Sequence, residues 1–153
     1  MLRVYLIDGE QSALDSMERL LVDNGNIEVV GKFRNPEEAV MKIGREQIDA
    51  VFLNIQLPVM NGFETAKCLM GAVPSVDIVF VAAHSRYAVR AFELHAADYL
   101  LRPPHPIRLS KTIERLLENR SRKNRARRLT EQVRANEDES GGRGRQAVDC
   151  RTY

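Results

Sequence analysis

Three apolar runs in this chain stop abruptly at polar side chains. Residues 2–7 end at Asp8-Gly9-Glu10, residues 50–53 end at Asn54, and residues 99–101 end at Arg102. The residue types limit the chemistry. Carboxylates such as Asp8 and Glu10 suit a small hard cation or a guanidinium. Arg102 is a permanent positive charge with a planar fork of donors. The amide nitrogen of Asn54 is not a usable nucleophile, because its lone pair is delocalised. Asp8 beside Arg102 reads most simply as a partly buried ion pair.

These residues need a scaffold that gathers run ends. Leu2 to Ile7 reads as a strand closed by an acidic turn, and Ser12 to Asp23 as a helix with Leu14, Met17 and Leu21 on one face. Asn24-Gly25 stops that helix. Residues 27–31 read as a second strand, and Asn35-Pro36 opens a helix whose inner face is Ala39, Val40 and Ile43. Residues 48–53 form the third strand, followed by a loop with Pro58, an Asn61-Gly62 turn and a helix start at Phe63. A fourth strand over 76–81 precedes a helix around 85–94, and a fifth strand over 98–101 precedes a helix from Pro106 with Leu109, Ile113, Leu116 and Leu117 on one stripe.

About five strand–helix units argue for an α/β fold with a parallel sheet covered on both faces. Right-handed crossovers leave a flavodoxin-like (βα)5 doubly wound sheet, strand order 2-1-3-4-5, as the expected architecture. In such sheets ligands and chemistry gather at the carboxyl ends of the strands, where Asp8, Asn54 and Arg102 fall.

Composition sets bounds. The 153 residues, 44% hydrophobic and 29% charged, suffice for one domain with a real core. No apolar run is long enough to cross a bilayer, and the N-terminal stretch lacks the n- and h-regions of a signal peptide. Cys68 and Cys150 are far apart without metal-ligand spacing, which fits reduced thiols in a cytoplasmic protein. Residues 1–117 hold 13 Lys/Arg against 15 Asp/Glu, whereas residues 118–153 hold 10 against 6. The expected division is therefore a mildly acidic domain over 1–117, a basic helical extension or linker over 118–140 and a disordered tail over 141–153.

The phrases at the strand ends resemble response-regulator receiver domains over roughly residues 2–117. Leu6-Ile7-Asp8-Gly9-Glu10 looks like the family's acidic turn, usually Asp-Asp-Glu. The stretch from Ala50 through Asn54 and Pro58 to Gly62 looks like the phosphoacceptor strand and loop. Val79 to His84 looks like the fourth strand, usually ending in Thr or Ser. Ala97 to Pro103 looks like the fifth, usually ending in Lys-Pro. The Tyr87-Ala88 and Ala91-Phe92-Glu93 phrasing is most similar to CheY-like receivers of LytTR-type regulators.

The resemblance implies a phosphorylation pocket altered at almost every position. Asn54 stands for the nucleophilic Asp, Gly9 for the second metal-contacting acid, Ala82 for the switch hydroxyl and Arg102 for the Lys. Asp8 matches without change, Glu10 is a possible second carboxylate, and Tyr99 matches the aromatic switch residue. Any Mg²⁺ held by Asp8 and Glu10 is expected to be weak, no other cofactor is implied, and no enzymatic activity is expected.

The expected function is that of a pseudo-receiver in phosphorelay-type signalling or transcription control, working by protein–protein binding. Its expected surface is the fourth helix, fifth strand and fifth helix, around Tyr87, Arg90, Tyr99, Arg108, Ile113 and Arg115, meeting a protein partner or a second copy. Two alternatives are a phosphorylatable regulator with an altered pocket and a nucleic-acid binder using Arg120, Arg122, Lys123, Arg125, Arg127 and Arg128. A solvated linker is the plain alternative for those basic residues, and a non-functional fragment of a transcription regulator is the plain alternative for the chain as a whole. DNA contact is the weaker expectation, since the chain reads as a receiver ending soon after its linker begins, with too few residues left for an independent output domain.

Overall fold

The computed structural model describes residues 1–138. The expected tail at 141–153, with Cys150 and Tyr153, lies outside the described residues. The element order is β1 (Leu2–Ile7), α1 (Gln11–Asn24), β2 (Ile27–Phe33), α2 (Pro36–Ile43), β3 (Ala50–Asn54), α3 (Gly62–Ala72), β4 (Asp77–Ala82), a 3-10 turn (Ser85–Tyr87), α4 (Ala88–Glu93), β5 (Asp98–Leu101) and α5 (Pro106–Glu137). All strand pairs are parallel, in the order β2-β1-β3-β4-β5. This is the flavodoxin-like order read from the alternation.

Strand periodicity splits the core into two layers. Tyr5, Ile7, Val51, Leu53, Ile78 and Phe80 face α2 and α3 on one side. Leu2, Val4, Leu6, Phe52, Val79 and Val81 face α1 and α5 on the other. Both faces being covered explains why the central strands read as continuous apolar runs.

Helix ends follow their local sequence. Gly25 closes α1 in the left-handed conformation at φ 88°, returning its N–H to the Val22 carbonyl. The Asn35 side chain accepts the Glu37 N–H at 3.0 Å ahead of Pro36, and the Asn61 side chain accepts the Glu64 N–H at 2.9 Å. Gly62 is required by space: a Cβ there would lie 2.5 Å from the Asn54 carbonyl oxygen. That approach lets the Gly62 N–H reach the Ile55 carbonyl at 2.7 Å and ties the start of α3 to the end of β3.

Several boundaries differ from the expectation: β3 spans Ala50–Asn54 rather than 48–53, and β4 spans Asp77–Ala82 rather than 76–81. β2 runs on to Phe33, because a register shift between Val4 and Tyr5 lets the pairing resume at Gly31. The fourth helix is shorter than 85–94, since its first turn is 3-10 and α4 spans only 6 residues. α5 is one unbroken helix of 32 residues, with its basic half continuing the half packed on the sheet.

Candidate functional site

The ends of β1, β3 and β5 converge on Asp8, which is 6% exposed. Its Oδ1 accepts the Glu10 N–H at 3.0 Å and the Asn54 amide at 3.5 Å. Its Oδ2 accepts from the Arg102 guanidinium. Asn54 also donates to the Gln56 carbonyl at 3.3 Å, and the Arg102 N–H bonds the Ala82 carbonyl at 2.8 Å. A small polar cavity of about 170 Å³ is left among Asp8, Asn54, Ala82, His84, Tyr87 and Arg102. The fold thus brings together Asp8, Gly9, Asn54, Ala82 and Arg102 from four strand ends, as expected from the sequence.

The pocket holds Asp8 and Arg102 locked on each other, with the exposed Glu10 also in its lining, and Asn54 contributes an amide where a nucleophile could stand. Packing does not impose these residue types. A Cβ at Gly9 would meet only the Pro58 ring, at an ordinary 3.5 Å, so an acid could be accommodated there. The donor set does not fit a divalent cation. Both Asp8 oxygens are engaged and its charge is met by Arg102, Gly9 has no carboxylate, and the Glu10 side chain is exposed. Among the described residues no group of three or more His, Cys, Asp or Glu is arranged to hold a metal ion.

Residues 4–114 match the family model for the response regulator receiver domain. The chain belongs to the response-regulator receiver family. A receiver is the input domain of a response regulator in two-component signal transduction, and this one is similar to several curated relatives. It is 46% identical over 116 residues to an uncharacterized response regulatory protein of Yersinia pestis, covering 76% of this chain and 48% of the relative. It is 38% identical over 122 residues to the transcriptional regulatory protein BtsR of Salmonella typhi, covering 80% of this chain and 51% of the relative. The receiver therefore spans about half the length of the curated relatives it matches. Among solved structures, the response regulatory domain of mrkE from Klebsiella pneumoniae superposes with a TM-score of 0.69 at 28% identity, over 76% of this chain and 96% of that one. A CheY-like receiver from Methanospirillum hungatei, at 24% identity and TM-score 0.69 over 80% of this chain and 98% of that one, shares the fold.

The expected interaction surface of the receiver is partly reassigned. Ile113 does not belong to it: at 1% exposure it faces the sheet, in phase with Leu109 and Leu116. Arg108 and Arg115 are exposed but face inward electrostatically. Arg108 grips Asp98 through Nη1 at 2.8 Å and Nη2 at 2.7 Å, and Arg115 lies 3.5 Å from the same carboxylate. Thr112 completes the clamp, donating to Asp98 Oδ2 at 2.7 Å. Burial works against the charged form of Asp98, but the bonds from Arg108, Thr112 and the Tyr99 N–H outweigh it and hold its carboxyl below the usual range. Arg90 lies over the Phe63 ring at 4.3 Å, and Tyr87 packs edge-on to the same ring at 6.1 Å. The Tyr99 hydroxyl donates to the His84 carbonyl at 2.5 Å, and burial pushes its pKa up.

Sequence reasoning missed the apolar members of that region. Val89 and Phe92, one turn apart on α4, are 71% and 82% exposed. Ala91 takes the buried position of the helix and turns Phe92 outward.

The basic residues of α5 divide in two. Arg120 donates to the Met1 carbonyl at 2.6 Å and lies 3.6 Å from Asp49. Lys123 donates to Asp77 at 2.8 Å, and Arg122 to Asn119 on its own helix at 2.5 Å. Arg125, Arg127 and Arg128 are exposed, one or two turns further on. Among the described residues no helix is long and apolar enough to cross a membrane.

Proposed function

We propose that this receiver is a pseudo-receiver that acts in the cytoplasm by protein binding without accepting a phosphoryl group. The observation that carries the reading is Asn54 at the acceptor position, hydrogen-bonded to an Asp8 already neutralised by Arg102. A receiver switched by phosphorylation needs a carboxylate nucleophile and counter-charge free to meet the phosphoryl oxygens. Here the acceptor position carries an amide instead of a carboxylate, and the positive charge of Arg102 is engaged by Asp8. The binding face is α4–β5–α5, with Val89 and Phe92 as its apolar contacts and Arg86, Arg90 and Glu93 as its charged rim. The occupant is a protein partner or a second copy. Similarity to a transcriptional regulatory protein supports a role in transcription control.

The test is intact mass after incubation with acetyl phosphate and Mg²⁺, beside a variant carrying Gly9→Asp, Asn54→Asp, Ala82→Thr and Arg102→Lys. The expected result is a phosphoryl mass gain in the variant alone. A gain in the unaltered chain overturns the reading in favour of a phosphorylatable receiver with an altered pocket.

A second reading rests on exposed Arg125, Arg127 and Arg128, which present positive charge along one helix and could contact nucleic acid. It requires DNA affinity that falls steeply with salt and disappears when all three are changed to Gln.

A further inference from the structure

A second cavity lies on the α1 side of the charged pair. It measures about 270 Å³, and its floor is the apolar sheet face at Leu6 and Phe52, roofed by Ala13 and Met17 of α1 and closed at one end by Pro103-Pro104. Asp8, Glu10, Asn54 and Arg102 line this cavity as well as the polar one, so the charged pair stands between the two spaces together with Glu10 and Asn54. We propose that this cavity is a binding site for a small, neutral, mainly apolar molecule carrying one hydrogen-bond acceptor.

Its walls favour an apolar body, because covering them removes apolar surface from water. The volume is near the lower end of the usual range for small-molecule sites, about 300 Å³ upward, so the occupant is small. The charges select a neutral head group. Arg102 is matched by Asp8 and Glu10 also lines the cavity, so an anionic head group is repelled, and a full charge of either sign would have to leave water for a mainly apolar space. The acceptor requirement comes from Arg102. Among the described residues only Asp8 accepts from its side chain, through Nη2, which leaves the rest of a planar fork of five N–H donors, part exposed to solvent, to meet an acceptor in the cavity. A carbonyl or ether oxygen satisfies that fork without disturbing Asp8.

Such a ligand would bridge α1 and the loop after β5, which are far apart in sequence. It thus supplies an input where phosphorylation is absent. That role rests on the pseudo-receiver reading; the binding itself does not, so the two fail separately.

The probe is prodan, a neutral naphthalene with a single ketone, titrated into the full chain while its emission is followed. A blue-shifted, saturable signal is expected, with amide shifts in an NMR titration confined to α1, the end of β1 and residues 102–104. Ala13→Phe, which fills the cavity, should weaken binding at least tenfold. Ser16→Phe, at the exposed rim of α1, repeats the block if Ala13→Phe fails to fold. Arg102→Lys keeps a positive charge beside Asp8 but loses the fork, and should weaken binding about tenfold, the value of one hydrogen bond to a charged group. Met41→Ser, at an exposed position of α2 on the other side of the sheet, should leave affinity unchanged. No saturable binding, unchanged affinity in the filled variants, or shifts centred on α4 would each overturn the proposal.

Discussion

Arg102, at the end of β5, donates to Asp8, at the end of β1, across a separation of 94 residues, and Asp8 is almost wholly withdrawn from water. A single ion pair therefore joins an edge strand of the sheet to its second strand through the pocket. Its loss leaves the carboxylate short of a counter-charge. We expect Arg102→Leu to cost about 2 kcal/mol in urea unfolding, below the 3–5 kcal/mol of a fully buried pair because the guanidinium is part exposed. Adding Asp8→Asn should recover most of that cost, and the double-mutant cycle measures the coupling.

Asp98 sets a pH dependence. Its carboxyl is held below its ordinary value of about 3.9 by Arg108, Thr112 and the Tyr99 N–H, which overcome the opposing effect of burial. A depressed carboxylate contributes stability that is fully present above the unfolded pKa and is lost as pH falls through the folded one. The stability gap between the native chain and Asp98→Asn should therefore be constant from pH 7 to about 5 and shrink below about 4. Urea midpoints at each pH check this, and a gap that widens in acid contradicts it.

Position 62 should tolerate nothing larger than hydrogen. A methyl group there would fall 2.5 Å from the Asn54 carbonyl oxygen and 2.6 Å from the Ile55 Cα, both backbone atoms that cannot swing aside. Gly62→Ala is expected to cost about 2–3 kcal/mol, in the range of overpacked cores. Gly44→Ala is the contrast. Its Cβ would meet nothing within 4 Å and its φ is −68°, so stability should rise by about 0.5 kcal/mol. Thermal melts of the pair separate steric demand from composition.

The second half of α5 is tied to the body at the opposite end of the sheet from the pocket. Asp77 accepts Lys123 at 2.8 Å and the Asn119 amide at 3.2 Å, and Asp49 lies 3.6 Å from Arg120. Changing both acids to Asn should speed hydrogen exchange severalfold at residues 117–124 and leave residues 109–113 unchanged. Equal exchange at both would show that helix propensity alone sustains the extension.

The fold was legible because each strand stops where polarity begins and each helix carries its own punctuation. Gly25, Pro36 and Asn61 mark ends that local backbone chemistry enforces whatever the tertiary context. Asn54, Gly9, Ala82 and Arg102 were legible as a group because an open parallel sheet places all strand ends on one edge. Ile113 shows where analogy outran pattern. Its spacing of four from Leu109 and three to Leu116 already puts it on the buried stripe, and the receiver's partner face cannot include it. The outward turn of Phe92 was not read from the sequence, since the short helix has one inward position and the smaller Ala91 occupies it.

The sequence by itself determined the strand order, the residues at the pocket and the family, because period, turn chemistry and strand-end identity are local properties. The Asp8–Arg102 pair was already legible at the strand ends, but the tertiary structure alone decided the other pairings. Asp98 with Arg108 and Lys123 with Asp77 depend on distances between elements that no local pattern encodes. The apolar space beneath α1 belongs to the same class. A cavity is a place that no side chain fills, and only the packed arrangement of all its neighbours makes it visible.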